Sequence, residues 1–263
     1  MAVPWAEHRE RAEFLRARHA HAAEVLTLYL ALLDVWEETW AAVRSRPPES
    51  LARWAARCAL PRVVAVTVAH GPAPLAGSLA RALDEEAAEK LLAAWLDGVE
   101  LAPVKRYLAR ASLCGALAAD SADDPPSDDD RHCPRCAGPP QLSFRADTGD
   151  RLVSGGRRLL CARCGHSWSY SGSACAGCGE SAGRTVHSER QEGPRVGRVD
   201  SDGAVFPHLR VEACTGCRRY LIDVDLGRDP RAVPEVDELT ALPLDLYAAE
   251  HGLTKITPNV MGF

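Results

Sequence analysis

Lysine is scarce in this sequence, and so is positive charge: three lysines stand beside 28 arginines, and the 263 residues carry a formal net charge of −5. Phosphate backbones are bound by a basic footprint, so the overall balance argues against a general nucleic-acid binder. Long apolar runs are lacking too. The best, Val25–Leu33, is bounded by Glu24 and Asp34 and falls short of the about 20 residues that span a bilayer. The opening MAVPWAEHRERAEF places charges where a signal peptide carries its apolar core. These absences predict a soluble cytoplasmic chain with no membrane insertion. Common catalytic signatures are missing as well. There is no GxxxxGK[ST], GxGxxG or HExxH, so the expectation is a protein that is not an enzyme.

What the chain does have is cysteine. Eight of its ten cysteines form four Cys-x-x-Cys pairs, Cys133/Cys136, Cys161/Cys164, Cys175/Cys178 and Cys214/Cys217. Each opens a short turn motif: CPRCAG, CARCGH, CAGCGE or CTGCRR. Two intervening residues let both sulfurs converge on one ion, and a small residue after the second Cys lets the backbone turn back. Two such knuckles supply four thiolates and close a tetrahedral site, so eight thiolates predict two metal ions, zinc or iron. Pairing first with second and third with fourth leaves room for a hairpin in each span and is favoured. The rival joins second to third and first to fourth. Cys58 and Cys114 stand alone, each on an apolar helical stripe, and read as packing residues.

The organisation follows from periodicity. Residues 1–119 read as an α-helical domain of five or six helices. Val25, Tyr29, Leu32, Trp36, Trp40 and Val43 recur at helical steps, and Leu51, Trp54, Ala55 and Cys58 mark the next helix after Pro47-Pro48. Pro61 is expected to bend or end that helix, and Val63–Ala69 to form a short buried one. Further helices are expected near Glu85–Asp97 and from about Pro103. Residues 120–131 hold DSADDPPSDDD, which has nothing to bury and repels itself, so they read as an acidic linker.

Beyond the linker the pattern changes to short β runs: Gln141–Arg145, Arg157–Cys161, Trp168–Tyr170, Thr185–Arg190, Phe206–Glu212 and Tyr220–Asp225. The order knuckle, strand, loop, strand, knuckle, strand occurs twice. It predicts one metal module over 132–172 and a similar one over 173–225. Residues 226–263 form a C-terminal tail with a helical stretch around Val236–Glu250, broken at Pro243. Trp168, Tyr170, Phe144, Phe206 and Tyr220 read as the small cores of the modules. His132, His166, His187 and His208 read as solvent or packing residues, with His166 or His208 as alternative donors to the metal ligands. Between 131 and 225 there are fourteen arginines and ten acidic residues. Eight thiolates around two divalent ions bring that region close to neutral.

The run CPRCAG, RRLLCARCGHSWSY, ACAGCGE, VEACTGCRRYLIDVD and VDELTALPLDLYAAEHGLTKITPNVMGF resembles the formate dehydrogenase accessory protein family FdhE. The resemblance covers about half the chain, from Cys133 to the end, and Ala137 stands where that family usually has Gly. It implies an α-helical domain followed by two tandem rubredoxin-like or zinc-ribbon modules and a short helical tail. It also implies a maturation factor that acts in the cytoplasm on the catalytic subunit of formate dehydrogenase and is needed for that enzyme's activity. Two readings compete, a nucleic-acid-binding zinc-ribbon protein and a small iron-dependent electron carrier. Arg163, Arg218 and Arg219, beside the knuckles, are the first candidates for a client contact.

Overall fold

The computed structural model describes residues 5–79, 85–119, 130–145, 155–188 and 205–263. The acidic linker lies outside them except for Asp130 and Arg131, as do the last two residues of the strand expected at Thr185–Arg190.

Seven α-helices precede residue 119 among the described residues, more than periodicity suggests. They are α1 (Trp5–Arg18), α2 (Ala23–Ser45), α3 (Leu51–Cys58), α4 (Leu60–His70), α5 (Ala73–Leu79), α6 (Glu85–Leu96) and α7 (Pro103–Ala118). α2 lies at the centre, against α1, α4 and α7. It buries Leu26, Leu28, Leu30, Leu33 and Val35 as well as Tyr29, Leu32 and Trp36, which is more than one face. α2 and α7 cross closely at Gly115, where a Cβ would come within 2.4 Å of the Trp36 carbonyl oxygen. Trp36 Nε1 donates to the Ala111 carbonyl across the same crossing, at 2.7 Å.

Two local expectations need correction. Pro61 does not end α3; it sits in the first turn of α4, where its missing N–H costs nothing. Cys58 is exposed, not packed. α3 turns Ala52, Ala55 and Ala56 to the core, with Ala59 just beyond it. An all-alanine face lets α3 sit close and rotates its last residue outward. Cys114 does pack against the helical core, and burial pushes its thiol up to about 12.

Among the described residues, seven strands form one sheet: β1 (Pro140–Arg145), β2 (Arg157–Cys161), β3 (Ser167–Ser169), β4 (Arg184–Ser188), β5 (Leu209–Cys214), β6 (Arg219–Asp225) and β7 (Thr254–Lys255). The order is β3-β2-β1-β6-β5-β4, with β7 beside β6. Each repeat is an antiparallel three-stranded meander. The two join through one parallel pairing, Ser143, Phe144 and Arg145 of β1 beside Asp223, Val224 and Asp225 of β6. Period-2 alternation then divides the faces. Leu209, Val211, Ala213, Tyr220, Ile222 and Val224 cluster with Ala241, Leu244 and Ala248, around helix α9 (Leu242–Glu250). Pro243 starts α9, preceded by a short helix α8 (Pro234–Asp237) and a 3-10 turn. Val236, Leu239 and Val260 of this tail complete the helical core, so the tail ties the two halves together.

Ser143, Arg145, Arg210, Glu212 and Asp223 form a buried polar strip across the sheet. Glu212 pairs with Arg145, Arg157 and Arg184, and Asp223 with Arg145 and Arg210. Burial alone would raise the Asp223 pKa. Arg210 and Arg145, with the Ser143 hydroxyl, outweigh it and hold the carboxyl below its ordinary 3.8. A depressed pKa contributes stability that is present above 3.8 and fades as the pH falls below it. Asp223→Asn should therefore cost about 1–3 kcal/mol at pH 7, and the gap from wild type should shrink below pH 3.8. Parallel denaturant titrations of both proteins across that range check it. A gap that stays constant with pH would contradict the assignment.

Candidate metal centres

The four knuckles share one local geometry. The residue following the second cysteine is left-handed in each: Ala137 at φ 53°, Gly165 at 69°, Gly179 at 80° and Arg218 at 59°. Its N–H returns to the carbonyl of the first cysteine, at 2.8 Å for Ala137 to Cys133 and for Gly179 to Cys175, 2.9 Å for Arg218 to Cys214, and 3.2 Å for Gly165 to Cys161. This turn aims both sulfurs of a pair to one side. Backbone donors then reach the sulfurs, Arg163 N to Cys161 Sγ and Gly177 N to Cys175 Sγ, each at 3.3 Å. Gly138 keeps the first site tight, since a Cβ there would lie 2.8 Å from Cys161 Sγ.

Left-handed backbone strains a residue with a Cβ, by roughly 1–2 kcal/mol. Ala137→Gly should raise stability by about 0.5–1 kcal/mol, once the greater chain entropy of glycine is deducted. Arg218→Gly relieves the same strain, but Arg218 Nη2 donates to the carbonyls of His251 (2.7 Å) and Gly252 (3.2 Å). It should bring no gain. Thermal melts of the two variants side by side check the contrast, and a stabilised Arg218→Gly would contradict it.

Neighbouring knuckles converge. Cys133, Cys136, Cys161 and Cys164 meet in one cluster and Cys175, Cys178, Cys214 and Cys217 in the other, with all sulfurs of a cluster within 4.8 Å of one another. Four sulfurs about 2.3 Å from a central ion lie about 3.8 Å apart. In the second cluster Cys175 to Cys217 and Cys178 to Cys214 are both 3.8 Å. The first is slightly tighter, with Cys133 to Cys164 at 3.6 Å and Cys136 to Cys161 and Cys164 at 3.4 Å. Both distance sets fit an S₄ ion. The electrostatics point the same way. Hydrogen bonds from Cys133, Cys161 and Cys164 hold the Cys136 thiol far below its ordinary value, while those of Cys161 and Cys164 are pushed up. Cys133 is lowered as well, and four thiolates together require a cation between them.

The clusters differ in enclosure. Leu159, Trp168, Tyr170, Ala176 and Leu221 pack with Cys133, Cys161 and Cys164. In the second cluster Cys178 is exposed and Cys217 half-buried. Tyr170 spans the two, its hydroxyl donating to the Cys175 carbonyl at 3.0 Å. Phe206 and Tyr220 serve the core under α9 instead, with Phe144 against it.

His166 offers its carbonyl to Cys161 N at 2.8 Å, and His187 bonds to Thr185 and Tyr247. His208 turns to Asp237, 2.7 Å away, and with Asp229 the three form a further cluster of possible ligands. Arg11 already occupies it. Its Nε donates to Asp237 Oδ2 at 2.9 Å and its Nη2 to Asp229 at 2.7 Å. A guanidinium bonded to both carboxylates makes this an ion-pair network joining α1 to the tail. A second buried network holds Lys255 between Glu238 (2.8 Å) and Asp245 (3.1 Å), and Gln141 links Glu238 onward to Arg110 of α7. Sequence reading finds neither network, because each joins residues far apart in the chain.

Residues 174–261 match the family model described as FdhE, C-terminal domain. Over 136 residues the chain is 30% identical to a protein named FdhE homolog from Aquifex aeolicus, which is 50% of this chain and 42% of that protein. Over 129 residues it is 32% identical to a homolog of the same name from Pseudomonas aeruginosa, 49% of this chain and 38% of that one. The matched part is thus about two fifths of the length of these relatives. The crystal structure of the FdhE protein from Pseudomonas aeruginosa aligns with 98% of this chain and 95% of its own, with a TM-score of 0.65 at 23% identity, and so shares its fold.

Proposed function

We propose that this chain, which matches the FdhE C-terminal domain over residues 174–261, is an accessory factor of that family that binds the catalytic subunit of formate dehydrogenase and supports its maturation. We propose also that each cysteine cluster holds one ion, zinc or iron, through Cys133, Cys136, Cys161 and Cys164 in the first and Cys175, Cys178, Cys214 and Cys217 in the second. Such an ion supplies folding energy and, if it is iron, a one-electron couple. The observation that carries the reading is closure. Four cysteines around each point leave no position for a substrate, unlike a hydrolytic metal site with an open coordination place. A protein built this way works by contact. No helix among the described residues is long and apolar enough to cross a membrane, which suits a client met in the cytoplasm.

The knuckle end is the proposed contact, with Arg163, Arg218 and Arg219 exposed or half-exposed on it. Arg163 and Arg218 also serve the fold: Arg163 donates to the Cys136 carbonyl at 2.8 Å, and Arg218 to the carbonyls behind α9. The test deletes the gene, assays formate oxidation, and complements with wild type and with the triple Arg→Ala variant. Metal content and circular dichroism of the purified variant separate a lost contact from a lost fold. Formate oxidation should fall on deletion, return with wild type, and stay low with a folded triple variant. Unchanged oxidation in the deletion strain removes the client. Full rescue by the triple variant removes only the contact.

A further inference from the structure

Half-buried and buried arginines are matched with carboxylates in most of this protein. Arg11, Arg145, Arg157, Arg184 and Arg210 each pair with Asp or Glu of the chain. One cleft gathers three arginines without such a pairing. A cleft of about 280 Å³ lies where the end of α6, the first turn of α7, both sets of knuckles and the tail meet, and Arg106, Arg163 and Arg219 line it with His132. Among the described residues, the only acidic one lining it is Glu100, which is exposed. None of the three arginines pairs with a carboxylate among the described residues.

Their remaining contacts leave donors to spare. Arg163 gives one nitrogen to the Cys136 carbonyl and stacks over Trp95 at 5.7 Å, while its buried Nε has no acceptor. Arg219 gives one nitrogen to the Ile256 carbonyl at 3.1 Å. Arg106 is half-buried and has no partner among the described residues. It also stands in the first turn of α7, which contains no acidic residue and whose N-cap, Ala102, contributes no side chain. A cation at the positive end of a helix, beside two more cations, is electrostatically unfavourable unless an anion joins them. Planar guanidinium forks suit the paired oxygens of carboxylate and phosphate.

We propose that this cleft binds a small ligand carrying an oxyanion, a phosphate or a carboxylate, with Arg106 and Arg219 as principal donors and Arg163 as the fixed wall. The size is at the small end of ligand sites, enough for one anionic group and a short apolar or polar body. Pro139 and Arg163 reach the cleft from the first knuckle pair, and Gly177 and Arg219 from the second. One bound anion would therefore touch both metal modules and the helical half at once. The proposal does not depend on the identity of the client.

The test uses the purified full-length chain with two weakly chelating probes, inorganic phosphate and succinate, at constant ionic strength. Arginine side-chain N–H resonances and the melting temperature are followed during the titration. One saturable site per chain is expected, with a matching rise in melting temperature. Arg106→Gln should weaken binding at least about tenfold, the loss of one charge-assisted donor, and Arg106→Gln with Arg219→Gln should abolish it. Because the Arg106 side chain has no partner among the described residues, the single variant should melt like wild type without the probe. Binding of phosphate but not succinate assigns a phosphate ligand, and the reverse assigns a carboxylate. No saturable response to either probe up to about 10 mM, or equal binding by the double variant, overturns the proposal.

Discussion

Replacing Cys161 with serine should release one of the two proposed ions and leave the other in place. The lost ion is the one shared with Cys133, Cys136 and Cys164, the four sulfurs that meet around a single point. Hydroxyl oxygen is a poor substitute for thiolate at such a site, and metal binding there is folding energy, of order 10 kcal/mol for a structural tetrahedral ion. The loss should unfold β1 and β2 and expose Trp168, which packs with these cysteines. Metal analysis of the purified variant should give close to one ion per chain. Two ions lost from this single change would contradict neighbour pairing, provided β4 to β6 stay folded. The two sites should also differ in lability. The exposed Cys178 opens the second cluster to chelators, so that ion should leave first in a timed chelation experiment.

The second large effect belongs to Lys255. Lys255→Met should destabilise the protein by about 3–5 kcal/mol, because it leaves Glu238 and Asp245 buried without their cation. Burial pulls the Lys255 pKa down, but the two carboxylates outweigh it and raise it above its ordinary 10.5. The ammonium is thus charged throughout the physiological range. Neutralising the whole group, with Glu238→Gln and Asp245→Asn added to Lys255→Met, should recover much of the loss, since the penalty lies in unpaired charge. Urea titrations of the single and triple variants check this. A single variant as stable as wild type would mean that the carboxylates find other partners.

What the sequence made legible was local. The Cys-x-x-Cys pairs mark the four knuckles, because two intervening residues let both sulfurs face one way, but which knuckles meet is decided by the fold. The six short β runs appear as β1 to β6, since alternation and turn residues act over a few positions. The main helical stripes also hold, with Leu91, Leu92 and Trp95 buried on α6 as their spacing implies. The errors came where a signal was weak or distant. Half of α1 is charged, WAEHRERAEFLRAR, yet it buries Ala12, Leu15 and even Arg11. Amphipathic spacing does not reveal a helix whose buried face includes an arginine. Cys58 misled because alanine, not the larger residues, forms the tight face of α3. The parallel pairing of β1 with β6 has no local cue at all. Its strands lie about 80 residues apart, and only packing around the polar strip of Arg145, Glu212 and Asp223 sets their register.

The contact between Arg11 and Asp237 carries a consequence for the rate of folding. These residues are 226 positions apart, and Asp237 is fully buried. Until they meet, the arginine on α1 and the carboxylate on the tail are each without their counter-charge in a forming interior. The helices can gather quickly through short-range contacts, but α1 cannot seal against α8 until almost the whole chain has been brought round. Loop closure of that length is slow to search, and contacts of high sequence separation lengthen folding times. The last barrier in refolding should therefore be the docking of the tail, and Arg11 substitutions should speed unfolding far more than they slow the early collapse of the helices.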